Sequence, residues 1–253
     1  MPQRRFTRSE SQIIARQQLR DLMFDISTPE WMAVLLSLKV GVVATLVATP
    51  IAIALAWALA RYEFWGKSIV DAAVHLPLVL PPVVTGYLLL LTFGKRGLVG
   101  GWLDDHLGIV FAFRWTGAAL ACGVMSFPLL VRPIRLSIEA IDRRLEQAAS
   151  TLGASPWKVF ATVTLPLALP GILAGMVLGF AKAIGEFGAT ITFVSNIPGE
   201  TQTISSAIYS LIQTPDGDAA GMRLVIISIA MSMAALIASE VFTRRATRRL
   251  HGI

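Results

Sequence analysis

Charge is what this chain has least of. Only 15% of its 253 residues are Asp, Glu, Lys or Arg, against roughly a quarter in a soluble domain. The deficit is uneven, with charges in short blocks between long apolar stretches. That excludes an ordinary soluble domain and points to an integral membrane protein built as one membrane domain. Cysteine is almost missing: Cys122 stands alone in an apolar stretch. It makes neither an intrachain disulfide nor a metal cluster, so redox chemistry and structural zinc drop out. Histidine is scarce too, and His75, His106 and His251 lie far apart, not at zinc-ligand spacing. No Ser-centred nucleophile elbow occurs. Gly66-Lys67-Ser68 imitates the end of a phosphate-binding loop, but the required glycine five residues earlier is Arg61. These absences argue against an enzyme, against a bound cofactor or metal, and for nucleotide chemistry, if any, on a partner.

The net charge of +6 raises nucleic acid as a partner, but the basic residues flank hydrophobic runs, as orientation signals do. No nucleic-acid role is expected. A lipid bilayer is. Five stretches are long and apolar enough to cross one: about 32–60, 69–93, 116–137, 164–185 and 222–243. Each must be helical, because unpaired backbone groups in hydrocarbon are costly. The expectation is therefore an all-α bundle of about five transmembrane helices. It divides into a basic tail over 1–30, a membrane domain over 31–243 and a short tail over 244–253.

Orientation follows from Lys and Arg. Arg132, Arg135, Arg143, Arg144 and Lys158 mark the 132–158 loop, and Arg244, Arg245, Arg248 and Arg249 the C-terminal tail. The 187–221 connection has none. So the loop and C-terminus are expected in the cytoplasm and 187–221 outside. Arg4, Arg5, Arg8, Arg16 and Arg20 then fall outside, which narrows the margin. No cleavable signal is expected in 1–30, since no apolar core of the needed length follows those arginines; residues 13–26 read either as a surface helix or as a tail.

Several positions suggest specific roles. Pro77, Pro81 and Pro82 should break the second span, either as a pathway wall or as a kinked packing helix. Gly171, Gly175 and Gly179 form a four-residue stripe that allows close helix packing. Lys182 and Glu186 are either a structural pair or part of a path. Thr190, with Thr85 and Ser126 from other spans, offers hydroxyls along such a path. Glu240 is expected to pair with Arg244 at the end of the last span.

The polar loop is the most telling stretch. Ala140 to Thr151 has helix-forming composition, Gly153 is placed to end that helix, and Ser155-Pro156 suits the start of a second one. Leu165-Pro166 would open the next span. Such a helix–glycine–helix element is either a docking piece for another protein's groove or a solvated connector. Here the sequence resembles the permeases of ABC importers, whose signature is Glu-Ala-Ala, three residues, Gly, nine residues, Ile-x-Leu-Pro. Aligned on Gly153, that signature falls on Gln147-Ala148-Ala149, Val163 and Leu165-Pro166, with Gln147 for Glu and Val163 for Ile. Glu146 stands beside the substituted position, where it could partly replace the missing charge.

His75 to Gly86, Gly185 to Thr190 and Asn196 to Thr201 are similar to the molybdate-importing branch. The resemblance runs over about 31–243. It implies a type I importer permease whose loop 140–158 couples to ATPase through Glu146, Gln147, Ala148, Ala149, Gly153, Leu165 and Pro166. It further implies a homodimer in the bacterial inner membrane, two ATP-binding subunits beneath it and a periplasmic oxyanion-binding protein above. Molybdate is the expected cargo, with tungstate or sulfate as alternatives.

Overall fold

The computed structural model describes residues 26–215 and 217–251, with side chains to residue 238. The N-terminal arginine tail and the expected Glu240–Arg244 pair lie outside the described residues and side chains. Among the described residues ten helices follow one another: α1 Thr28–Arg61, α2 Lys67–Val79, α3 Pro82–Phe93, α4 Leu98–Leu107 and α5 Trp115–Glu139; then α6 Arg143–Thr151, α7 Pro156–Ile184, α8 Gly188–Val194, α9 Ile204–Leu211 and α10 Asp218–His251. Four of them, α1, α5, α7 and α10 as far as Ala238, are each long and apolar enough to cross a membrane.

The expected second span is a bent pair. α2 and α3 meet at 115°, because Pro81 and Pro82 are consecutive. A residue before proline is driven out of the helical region. Leu80 (φ −70, ψ 144) and Pro81 (φ −53, ψ 132) are both extended, and two such residues in a row turn the chain. Elsewhere single prolines leave helices continuous: α1 runs through Pro50 and α5 through Pro128 and Pro133.

α5 is the central post, and α1 and α7 pack along it. The glycine stripe of α7 faces it: a side chain at Gly171 would strike Ser137 and the Pro133 carbonyl, and one at Gly175 or Gly179 would meet Leu130. The stripe is used for packing within one chain. α1 is bracketed by two ion pairs. Arg223 of α10 bonds Glu30 at 2.7 Å near its start, and Arg61 binds Glu146 at its end. At 34 residues α1 is about 50 Å long, more than the ~30 Å hydrocarbon core.

The 187–221 connection contains two helices, α8 and α9, which bury Ala189, Phe193, Val194 and Ile204 completely. α8 packs on α3 so closely that Gly86 has no room for a Cβ beside the Ala189 backbone. These short helices escaped notice because neither is long enough to show a clear period. α7 corrects the expectation that Leu165-Pro166 open the next span. It begins at Pro156, and Leu165-Pro166 sit inside one continuous helix, just after a π turn over Phe160–Thr164.

Candidate functional site: the helix–glycine–helix loop

The polar loop folds as helix, turn and helix. α6 starts at Arg143 rather than near 140, because the Asp142 carboxylate accepts from the Arg144 N–H at 2.9 Å and caps it there. It ends in a Schellman turn: the Ala154 N–H donates to the Ala149 carbonyl and the Gly153 N–H to that of Ser150. Gly153 has φ +85, a conformation a side chain would strain. Ser155 precedes α7 in extended conformation, but its hydroxyl makes no cap bond.

The two faces of this loop differ sharply. Leu145, Gln147, Ala148, Leu152 and Trp157 point outward, with Leu152 89% and Trp157 73% exposed. Of these, Trp157 makes ring contacts, with Trp57 and Phe160. Glu146 is turned the other way. Its carboxylate pairs with the Arg61 guanidinium at 3.0 Å and accepts the Thr164 hydroxyl at 2.6 Å. Successive residues of an α-helix point about 100° apart, so an inward Glu146 and an outward Gln147 do not substitute for each other. The carboxylate that could partly replace the charge missing at 147 is thus engaged by Arg61 and Thr164. An aromatic cluster closes the same region: Trp57 of α1 lies 5.1 Å from Phe160 and 6.2 Å from Trp157 of α7, centroid to centroid.

The pathway candidates are distributed differently. Ser126 donates to the Cys122 carbonyl at 2.7 Å and is fully buried in α5. Thr190 donates to the Phe187 carbonyl. Thr85 is buried, and its hydroxyl has no hydrogen-bond partner among the described residues. Glu186 is 2% exposed; it accepts from Lys182 at 2.7 Å and from the Ala189 N–H at 2.9 Å, so it holds the turn between α7 and α8. Of the five, Lys182 alone keeps a substantially exposed side chain, at 30%. A groove of about 700 Å³, almost wholly apolar, lies between α1, α2 and α5, and none of the five borders it.

Sequence reasoning missed Arg61, Thr164 and the Glu30–Arg223 pair. Arg61 had registered only as the residue that spoils a phosphate loop. Its partner lies 85 positions away, and no local pattern reveals that.

A bundle of long apolar helices with a bent pair inside and an outward-facing helix–turn–helix loop defines a multi-pass membrane protein. Residues 48–249 match the family described as binding-protein-dependent transport system inner membrane component. The chain belongs to that family, and so is a transport subunit of the inner membrane. It is 60% identical over 224 residues to the molybdenum transport system permease protein ModB of Escherichia coli (strain K12), covering 88% of this chain and 98% of that one. It is 56% identical to ModB of Haemophilus influenzae, over 86% and 95% of the two chains. Among solved structures, a bacterial ABC transporter that imports the acidic polysaccharide alginate shares the fold, with TM-score 0.69 and 18% identity over 93% of this chain and 89% of that one.

Proposed function

We propose that this chain is the membrane subunit of an ATP-driven importer of molybdate, and that α6 and the start of α7 seat in a groove of a separate ATP-binding subunit. One observation carries the docking reading: the outward, apolar face of Leu145, Ala148 and Leu152, with Trp157 73% exposed at its edge although its ring also meets Trp57 and Phe160. An amphipathic helix offered in this way suits a groove on another protein. Gln147 and Ala149 border that face, Gly153 sets the angle between the two helices, and Leu165-Pro166 carry the movement along α7. Two copies of the chain would enclose the path, with two ATP-binding subunits below and a periplasmic oxyanion-binding protein above. ATP hydrolysis belongs to the lower pair. The loop and the C-terminus face the cytoplasm, as their arginines indicate. Along the path, Lys182 is the residue able to meet an oxyanion, while Thr85, Ser126, Glu186 and Thr190 act from within the packed interior. The high identity to molybdenum permeases supports molybdate over sulfate.

Gly153→Pro tests docking, because proline fixes φ near −65 where the turn needs +85. The variant should stay folded in the membrane yet fail to retain the ATP-binding subunit on affinity purification; full retention with normal transport would refute docking. Uptake of labelled molybdate into proteoliposomes, with tungstate and sulfate as competitors, tests the cargo.

A further inference from the structure

The loop presents a mechanical problem. α6 has nine residues and buries none of them, and helices this short are unstable alone. A lever held by nothing would swing without moving the bundle. Glu146 anchors it sideways through three hydrogen-bond donors.

Arg61 ends α1, where a cation suits the helix dipole, and Glu146 lies in the first turn of α6, where an anion does. The two side chains are 10% and 17% exposed. The guanidinium donates Nε–H and Nη2–H to Glu146 Oε1 at 3.2 and 3.1 Å, and reaches the Ile141 carbonyl at 3.4 Å. Thr164, 1% exposed, adds its hydroxyl to the same oxygen. Thr164 is the last residue of the π turn, where the ordinary helical bonding of α7 is interrupted. One carboxylate therefore ties together the end of α1, the lever and the irregular turn of α7. The Trp57 ring adds tilted contacts between α1 and the start of α7, where Trp157 and Phe160 meet edge-on.

We infer that Arg61, Glu146 and Thr164 form a latch that converts displacement of α6 into movement of α1 and α7 together. They are positioning residues that touch neither nucleotide nor cargo. The inference rests on α6 being the docking element, and it adds that Glu146 acts inward. α1 is then a driven element rather than a peripheral one, because the lever pulls on its last turn.

The test uses the full chain reconstituted in liposomes with its ATP-binding subunit and binding protein. Glu146→Gln keeps the shape and removes the charge; Thr164→Val removes one hydroxyl with little change in volume. Both should retain the ATP-binding subunit and hydrolyse ATP, while molybdate moved per ATP falls roughly five- to tenfold for Glu146→Gln and less for Thr164→Val. A merely stabilising contact would lower the yield or Tm and leave that ratio alone. Parental ratios in both variants overturn the latch. So does loss of the ATP-binding subunit from Glu146→Gln, which would make Glu146 an outward contact. Should Glu146→Gln not fold, Thr164→Val decides. Gly153→Pro separates the two ideas: if it sheds the subunit while both latch variants stay fully coupled, docking stands and the latch fails.

Discussion

Two proline-bearing runs of this chain behave in opposite ways. In α7, Pro166 and Pro170 interrupt nothing, and 29 residues form one helix. At α2–α3, Pro81 and Pro82 turn the backbone by 115°. The difference lies in adjacency. Leu165 precedes a single proline and keeps helical angles (φ −63, ψ −46), because the π turn before it has already loosened the bonding that proline would disrupt. Consecutive prolines leave no such choice, since each constrains the residue before it. The bend is then held by a neighbour: α8 covers α3, with Gly86 and Gly188 allowing their backbones to touch.

The comparison can be broken most severely at that contact. Gly86→Val should push a side chain into the Ala189 backbone and cost about 3 kcal/mol or more, read as a large drop in Tm of the detergent-solubilised protein. Replacing Pro81 and Pro82 together with alanine restores two donors and should favour a straight α2–α3. Transport is then expected to fall by about tenfold or more, with membrane insertion unchanged, as measured by proteoliposome uptake. Lys182→Met tests the boundary between α7 and α8. It leaves Glu186 buried with only the Ala189 N–H, and should cost about 2 kcal/mol, less than a fully buried pair because Lys182 is partly exposed. Pro170→Ala is the control for the straight helix: thermal unfolding should shift by less than about 1 kcal/mol, and uptake should stay near normal. A severe loss in Pro170→Ala would show that α7 needs its prolines as much as α2–α3 does.

Legibility followed locality. The apolar runs, the break at Pro81-Pro82, the left-handed Gly153 and the glycine stripe are read from residues within a few positions of one another, and each reports a backbone constraint. α8 and α9 were not legible, since seven or eight residues are too few to show a period, and their burial depends on α3 and α1. Glu146 is legible as a residue of this loop, but its contacts are not. Which side of α6 faces inward is set by Arg61 and Thr164, and they are brought there by packing.

The sequence by itself determined that this is a helical membrane protein with a helix–glycine–helix loop, because hydropathy, proline and glycine act through the backbone near where they stand. The tertiary structure alone decided which charges meet. Ion pairs such as Arg61–Glu146 and Glu30–Arg223 form between residues far apart in the chain, once helix packing has fixed the distance over which their charges act.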